Sequence, residues 1–148
     1  MDILTHLLLL STTLYTGVAL LFFIGLFRLK TQPQTTDKPF ISVVIAARNE
    51  ADYIGECLDC MKRQTYPTDR FEILVVDDDS TDDTSVIVAS AQIDNLRLLT
   101  VGDCFPEMAA KKRPMSVGIQ QAKGEWILTT DSDCKVPTTW VEQMAAYM

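Results

Sequence analysis

Three things are missing from this chain of 148 residues, and each absence narrows what it does. The first is charge over one long stretch, because no Asp, Glu, Lys or Arg lies between Ile3 and Phe27. A soluble domain of this size has no partner large enough to cover a helix that is apolar all round. The second is glycine in phosphate-cradling patterns. The six glycines form neither a G-x-G-x-x-G nor a G-x-x-x-x-G-K-[ST], which excludes a dinucleotide fingerprint and a P-loop. The third is a basic excess. Thirteen Lys and Arg against 20 Asp and Glu leave a formal charge of −7, the wrong sign for a nucleic-acid partner. An acidic protein still binds a nucleotide where a divalent cation supplies the positive charge.

Twenty-five uncharged residues at 1.5 Å each make a helix of about 37 Å, enough to cross a hydrocarbon core of about 30 Å. A cleaved signal peptide would begin with a basic segment and a shorter apolar run, whereas here the start is acidic at Asp2. Residues 1–30 therefore read as a transmembrane anchor. Arg28, Lys30 and Lys38 follow the span and no Lys or Arg precedes it, so the positive-inside tendency puts the C-terminal side in the cytoplasm. His6 reads as an interfacial residue. Residues 31–38 (TQPQTTDK) are polar and read as a linker.

Four cysteines, Cys57, Cys60, Cys104 and Cys134, are even in number, but this is not a short secreted framework, and they read as reduced thiols of a cytosolic domain. Cys57 and Cys60 have the C-x-x-C spacing of a redox pair or half a zinc site, but they fall on the apolar stripe of an expected helix.

The remaining 110 or so residues alternate between strands and helices. Residues 40–47 (FISVVIAA) form a run rich in β-branched residues, the pattern of a strand buried on both faces of a parallel sheet. Residues 49–64 carry Ile54, Cys57, Leu58 and Met61 at helical spacing, with Asn49 placed to cap the helix. Residues 71–76 (FEILVV) are a second buried strand, followed by a helix to about Ala91 with Ser80 and Asp83 as a capping box. Residues 96–101 form a third strand, 111–122 a helix with Pro114 in its first turn, and 125–130 (EWILTT) a fourth strand; a last helix begins near Thr138. This is an α/β fold with a mainly parallel sheet, and its ligand belongs beyond the carboxyl ends of the strands. The clusters Ala47-Arg48-Asn49-Glu50, Asp77-Asp78-Asp79-Ser80 and Asp131-Ser132-Asp133 should converge there.

Asp131 and Asp133, one residue apart on a loop leaving a strand, suit one Mn²⁺ or Mg²⁺ whose remaining ligands come from substrate phosphates. Asp77, Asp78 and Asp79 repel one another unless a cation or hydrogen-bond donor sits among them, and a nucleobase imide and ribose hydroxyls are such donors. Asp82 and Asp83 read as acids complementing a helix dipole. Lys111, Lys112 and Arg113 are either a solvated basic patch or a group of which one reaches a diphosphate or positions the loop around it.

Three segments, PFISVVIAARNE (39–50), ILVVDDDSTD (73–82) and AKGEWILTTDSDC (122–134), together resemble the family 2 glycosyltransferases over residues 39–148. The resemblance implies a Rossmann-like GT-A nucleotide-sugar-binding domain and an inverting transfer from a nucleoside-diphosphate sugar, commonly a UDP-sugar. It implies that Ala47, Arg48 and Glu50 line the base and ribose pocket. Asp78 would face the base, with Asp77 and Asp79 supporting its loop. Asp131 would contact ribose or metal, and Asp133 would hold Mn²⁺ or Mg²⁺. Lys111 matches the lysine that opens the family's K-x-x-x-L-N-x-G-I segment, here KKRPMSVGI (111–119) with Ser116 in place of Asn.

In the family the acceptor's general base is a carboxylate well downstream of the D-x-D. None is expected in this chain, so the domain at 39–148 reads as a donor-binding portion, incomplete at its C-terminus and by itself inactive in transfer. The anchor points to a lipid or glycan acceptor at the membrane. A nucleotidyltransferase would carry a glycine-rich loop after the first strand, which AARNE (46–50) lacks. A non-catalytic membrane-tethered binding module is the third reading.

Overall fold

The computed structural model describes residues 2–28, 38–105, 107–108 and 111–148. The chain divides into two compact units, Met1–Pro33 and Gln34–Met148. The first consists of helix α1 (Ile3–Arg28). Of this helix, the 25 residues Ile3–Phe27 are long and apolar enough to cross a membrane, and none of them is buried. Four of its hydroxyls bond within the helix: Ser11 and Thr12 donate to the Leu8 carbonyl, Thr13 to Leu9 and Thr16 to Thr12. Polar side chains bonded this way add no unpaired donor to an apolar medium. The expected linker lies, Lys38 apart, outside the described residues.

The second unit is built on four parallel strands in the order β3-β2-β1-β4. β1 (Ile41–Ala47) and β2 (Phe71–Asp77) are buried along their whole length. β3 (Leu96–Thr100) and β4 (Trp126–Asp131) are the edges, and Trp126 and Ile127 of β4 remain exposed. Successive side chains of a strand face opposite sides, and the core divides accordingly. Ile41, Val43 and Ile45 of β1, with Ile73 and Val75 of β2, pack against helix α2 (Ile54–Lys62), Val88 of α3 (Thr84–Ser90) and Val141 of α5 (Trp140–Ala145). Val44, Leu74 and Val76 face Val117 of α4 (Lys112–Gln121) on the other side.

Two glycines allow close approaches that a side chain would forbid. A Cβ on Gly118 would strike Val44 in the face that α4 covers, and one on Gly124 would lie 2.8 Å from the Ile41 carbonyl carbon. Gly124 enters β4 beside a buried network. Its N–H donates to Ser42 Oγ, Ser42 donates to Glu72 Oε1 at 2.7 Å, the Lys123 N–H donates to the same oxygen, and Arg97 pairs with Glu72 Oε2 at 3.2 Å.

Several expected boundaries shift. α2 begins at Ile54, and Asn49 does not cap it: Asn49 adopts a left-handed φ of 54° and its amide oxygen accepts the Thr81 N–H. The expected capping box is absent too, because Asp83 makes no side-chain cap to α3 and Ser80 donates instead to Asp77. Asp131 is the last residue of β4 rather than the first of the loop beyond it.

Candidate functional site

The chain runs from β1 outward to β2 and β3, then returns to place β4 on the other side of β1. Strand order therefore reverses between β1 and β4, and such a switch point opens a crevice at the carboxyl ends. A cleft of about 250 Å³ lies there. From the end of β1 come Ala46, Ala47, Arg48 and Glu50; from β2 comes Asp78; from β4 and its loop come Asp131, Ser132 and Asp133. Lys111 and Pro114 close it from the start of α4. Of the residues expected at the site, Ala47, Arg48, Glu50, Asp78, Lys111, Asp131 and Asp133 thus share one cavity. Asp77 and Asp79 do not line it.

The first two rim loops are laced together. Ser80 Oγ accepts the Asn49 N–H at 2.9 Å and donates to Asp77 Oδ1, which also accepts the Ser80 N–H. The buried Thr84 hydroxyl accepts the Glu50 N–H at 2.8 Å and donates to Asp82 Oδ1, while Asp82 Oδ2 accepts the Ala51 N–H at 3.1 Å. Asp82 is therefore more than a dipole-complementing acid. Hydrogen bonds, first that of the Thr84 hydroxyl, hold its carboxyl below the usual aspartate value.

Asp78 is almost wholly buried, at 3% exposure, and two arginines answer its charge. Arg113 donates through Nε at 2.9 Å and through Nη2 to Asp78 Oδ1, and Nη2 also reaches Asp79 Oδ2 at 2.9 Å. Arg48 lies 3.5 Å from Asp78 Oδ2. The cation that three adjacent acids require is thus supplied from within the chain. Arg113 is the residue that the sequence reading left undivided within a basic run. Asp79, with a left-handed φ of 56°, is held in that conformation by the same guanidinium.

On the opposite wall Lys111 Nζ donates to Asp131 Oδ1 at 2.6 Å, and that bond raises the ammonium above its usual value. Asp131, Asp133 and Cys134 each offer an atom within 4.8 Å of the others, close enough to share one cation. Four carboxylates line the cleft against Arg48 and Lys111, so a diphosphate entering it meets repulsion unless a further cation comes with it. The donor set and the charge balance both fit a divalent ion held by Asp131 and Asp133. Cys134 was not expected there; it follows directly on the D-x-D, and its thiol lies 3.7 Å from Asp133 Oδ1.

Cys57 supports the site from beneath. Burial, with Cys60, Cys134 and Asp133 nearby, pushes its thiol up to about 12, and its Sγ lies 3.7 Å from the Asp131 carbonyl. A thiol held protonated is a poor redox nucleophile at neutral pH, and Cys57 packs in the core while Cys60 is only half-buried.

Comparison with known proteins agrees with this geometry. The family model described as "Glycosyl transferase family 2" matches residues 42–148. Glycosyltransferase AglE of Haloferax volcanii is 37% identical over 111 residues, 74% of this chain and 35% of that protein. The crystal structure of Staphylococcus aureus TarS 1-349 in complex with UDP-GlcNAc superposes with a TM-score of 0.64 at 33% identity, covering 73% of this chain and 30% of that one. A mannosyltransferase from Pyrobaculum calidifontis, in complex with GDP-Man and Mn²⁺, gives a TM-score of 0.60 at 31% identity, covering 82% of this chain and 37% of that one. The chain thus spans about a third of the length of these relatives. With a parallel sheet of the GT-A kind, a cleft at its switch point and a family match over the whole second unit from Ser42 onward, the chain belongs to glycosyl transferase family 2.

Proposed function

We propose that this chain is the donor- and metal-binding part of an inverting glycosyltransferase that takes its sugar from a nucleoside diphosphate, of the uridine type, and passes it to a lipid or glycan at the membrane. In domain terms, residues 1–30 anchor the protein, 31–38 link, and 39–148 bind the donor on the cytoplasmic side. The observation that carries this reading is the meeting of Asp131 and Asp133 with Arg48 and Asp78 around one cleft in a family 2 chain. The TarS complex with UDP-GlcNAc supports a UDP-sugar, and the Pyrobaculum complex supports a metal.

In this reading Ala47, Arg48, Glu50 and Asp78 receive the base and ribose. Arg113 and Arg48 fix the Asp78 carboxylate in direction, and Asp77 and Asp79 brace the loop behind it. Asp131 and Asp133 hold Mn²⁺ or Mg²⁺, which when bound offsets the charge of the departing diphosphate. Lys111 stands where a second positive group meets that diphosphate. Among the cleft carboxylates Asp78 and Asp131 are engaged by cations, and Glu142, away from the cleft, is bonded to Thr65 and Lys38. No residue of this chain is assigned to removing the acceptor's proton, and the 148 residues are expected to bind donor without transferring sugar. The nucleotidyltransferase reading has no observation in its favour.

Calorimetric titration of the chain with UDP in Mn²⁺ tests the site. Asp133→Asn keeps the side-chain shape and removes one charge. It should weaken Mn²⁺-dependent UDP binding at least as much as the roughly 10–100-fold that outer-shell partners of metal ligands cost. Asp94→Asn, an exposed acid before the amino end of β3, should leave binding unchanged. Equal losses from both would refute the assignment.

A further inference from the structure

Asp131 serves two masters in this cleft. The reading above gives its carboxylate to a divalent ion, yet the Lys111 ammonium lies 2.6 Å from its Oδ1. The two arrangements compete, since an ammonium against that oxygen takes up one of its coordination directions and repels a second cation. The two partners differ in freedom. Asp131 ends β4, and its neighbours are tied into the ladder beside β1. Lys111 precedes α4, so its backbone is anchored while its four-carbon stem projects into the cleft with the side chain 62% exposed. The group able to move is the lysine.

We propose that Lys111 is a resident stand-in cation: it neutralises Asp131 in the empty cleft and releases that carboxylate to a divalent ion. The inference rests on the assignment of Asp131 and Asp133 to the metal and adds to it a direction and an order. Lys111 opposes metal binding while no nucleotide is present. Once released, its ammonium remains in a cleft that has just received a diphosphate, and so gains a new partner. Lys111 thereby makes metal and nucleotide binding mutually favourable, a coupling that is equal in both directions. The other acid that acts on the same ammonium is Asp133, a metal ligand in this reading, so it is not free to hold the lysine in the metal-bound state.

The test measures Mn²⁺ affinity of the full chain in detergent, by calorimetry and by loss of the free-Mn²⁺ paramagnetic resonance signal, with and without saturating UDP. Lys111→Met and Lys111→Gln should each bind Mn²⁺ alone more tightly, by roughly three- to tenfold at low salt, because a unit charge a few ångströms from a divalent ion is removed at an exposed site. The gain should shrink at high salt. The ratio of Mn²⁺ affinities with and without UDP should fall in both variants. Unchanged or weaker Mn²⁺ binding in both, in a protein where Asp133→Asn abolishes it, overturns the exchange and leaves the metal assignment standing. Mn²⁺ binding untouched by Asp133→Asn overturns the metal assignment and the exchange together.

Discussion

At the level of single residues, the site is governed by where charge goes when acids are crowded. Three consecutive aspartates leave β2, and each has a different answer: Asp77 takes donors from Ser80, Asp78 takes Arg113 and Arg48, and Asp79 shares Arg113. That a cation or a hydrogen-bond donor had to stand among them follows from the sequence alone, by repulsion. Which group it is does not, because Arg113 lies 35 positions from Asp78 and only the packing of α4 on the sheet brings them together. Asp82 teaches the converse. Its place near a helix start suggests a modest dipole effect, whereas it stitches the loop after β1 to the loop after β2 through Ala51 and Thr84. Among the described residues, Arg113→Met removes both donors on Asp78 Oδ1 and leaves a buried carboxylate with Arg48 as its remaining cation. The variant should melt at least roughly 4–8 °C lower, the shift that follows from about one unmet hydrogen bond in a domain near this size. Its UDP affinity should fall as well, since the acid at the base end loses its fixed direction. Thermal melts followed by the fluorescence of Trp126 and Trp140, with UDP titrations, check both; an unchanged midpoint would show that Arg48 suffices.

Among the elements, strands were the most legible part of the sequence. The apolar runs at 40–47 and 71–76 become β1 and β2 within a residue, because burial on both faces leaves no other composition for a central strand. Helix starts were less legible: Asn49 and Ser80 have the right chemistry to cap, but their side chains bond across the rim to the neighbouring loop instead. Tertiary partners outbid local ones here. The least legible feature is the Glu72 network, since an acid inside a buried strand reads only as an interruption. Burial works to raise the Glu72 carboxyl, but hydrogen bonds from the Lys123 N–H, Ser42 and Arg97 outweigh it and hold the carboxyl below its ordinary value of 4.5. A group depressed in the folded state contributes stability that is whole above the unfolded value and is lost as pH falls through the folded one. Glu72→Gln should therefore cost about 1–3 kcal/mol at pH 7, the range for disturbing a buried hydrogen-bonded group. The deficit should close as pH falls from 4.5 downward, where the parent loses the same contribution. Denaturation midpoints of both proteins between pH 7 and pH 3 decide this, and a constant gap over that range would remove the ionised carboxylate from the account.

For the whole molecule, the strongest signal is the contrast between its two units, one without a charge for 25 residues and one rich in acids around a cleft. Composition made that division readable without any fold, because the first stretch is long and apolar enough to cross a bilayer. The structure adds that Ser11, Thr12, Thr13 and Thr16 of α1 donate their hydroxyls to carbonyls of the same helix, which lowers the cost of placing them in an apolar medium. Orientation is a separate question, on which flanking charge sets the expectation. Arg28, Lys30 and Lys38 stand on one side of the span and Asp2 alone on the other. Basic residues near the end of a span are retained on the cytoplasmic side, whereas acids contribute little. The second unit, with its donor cleft, is therefore expected in the cytoplasm, where nucleotide sugars are made. A variant with its four native cysteines replaced and one new cysteine at Gln34→Cys tests this in intact cells. A membrane-impermeant maleimide should fail to label it until the cells are permeabilised, while a cysteine at Asp2→Cys should label from outside. Labelling of Gln34→Cys in intact cells would place the cleft on the other face, and moving Arg28 and Lys30 to the N-terminal side of the span should produce that inverted pattern deliberately.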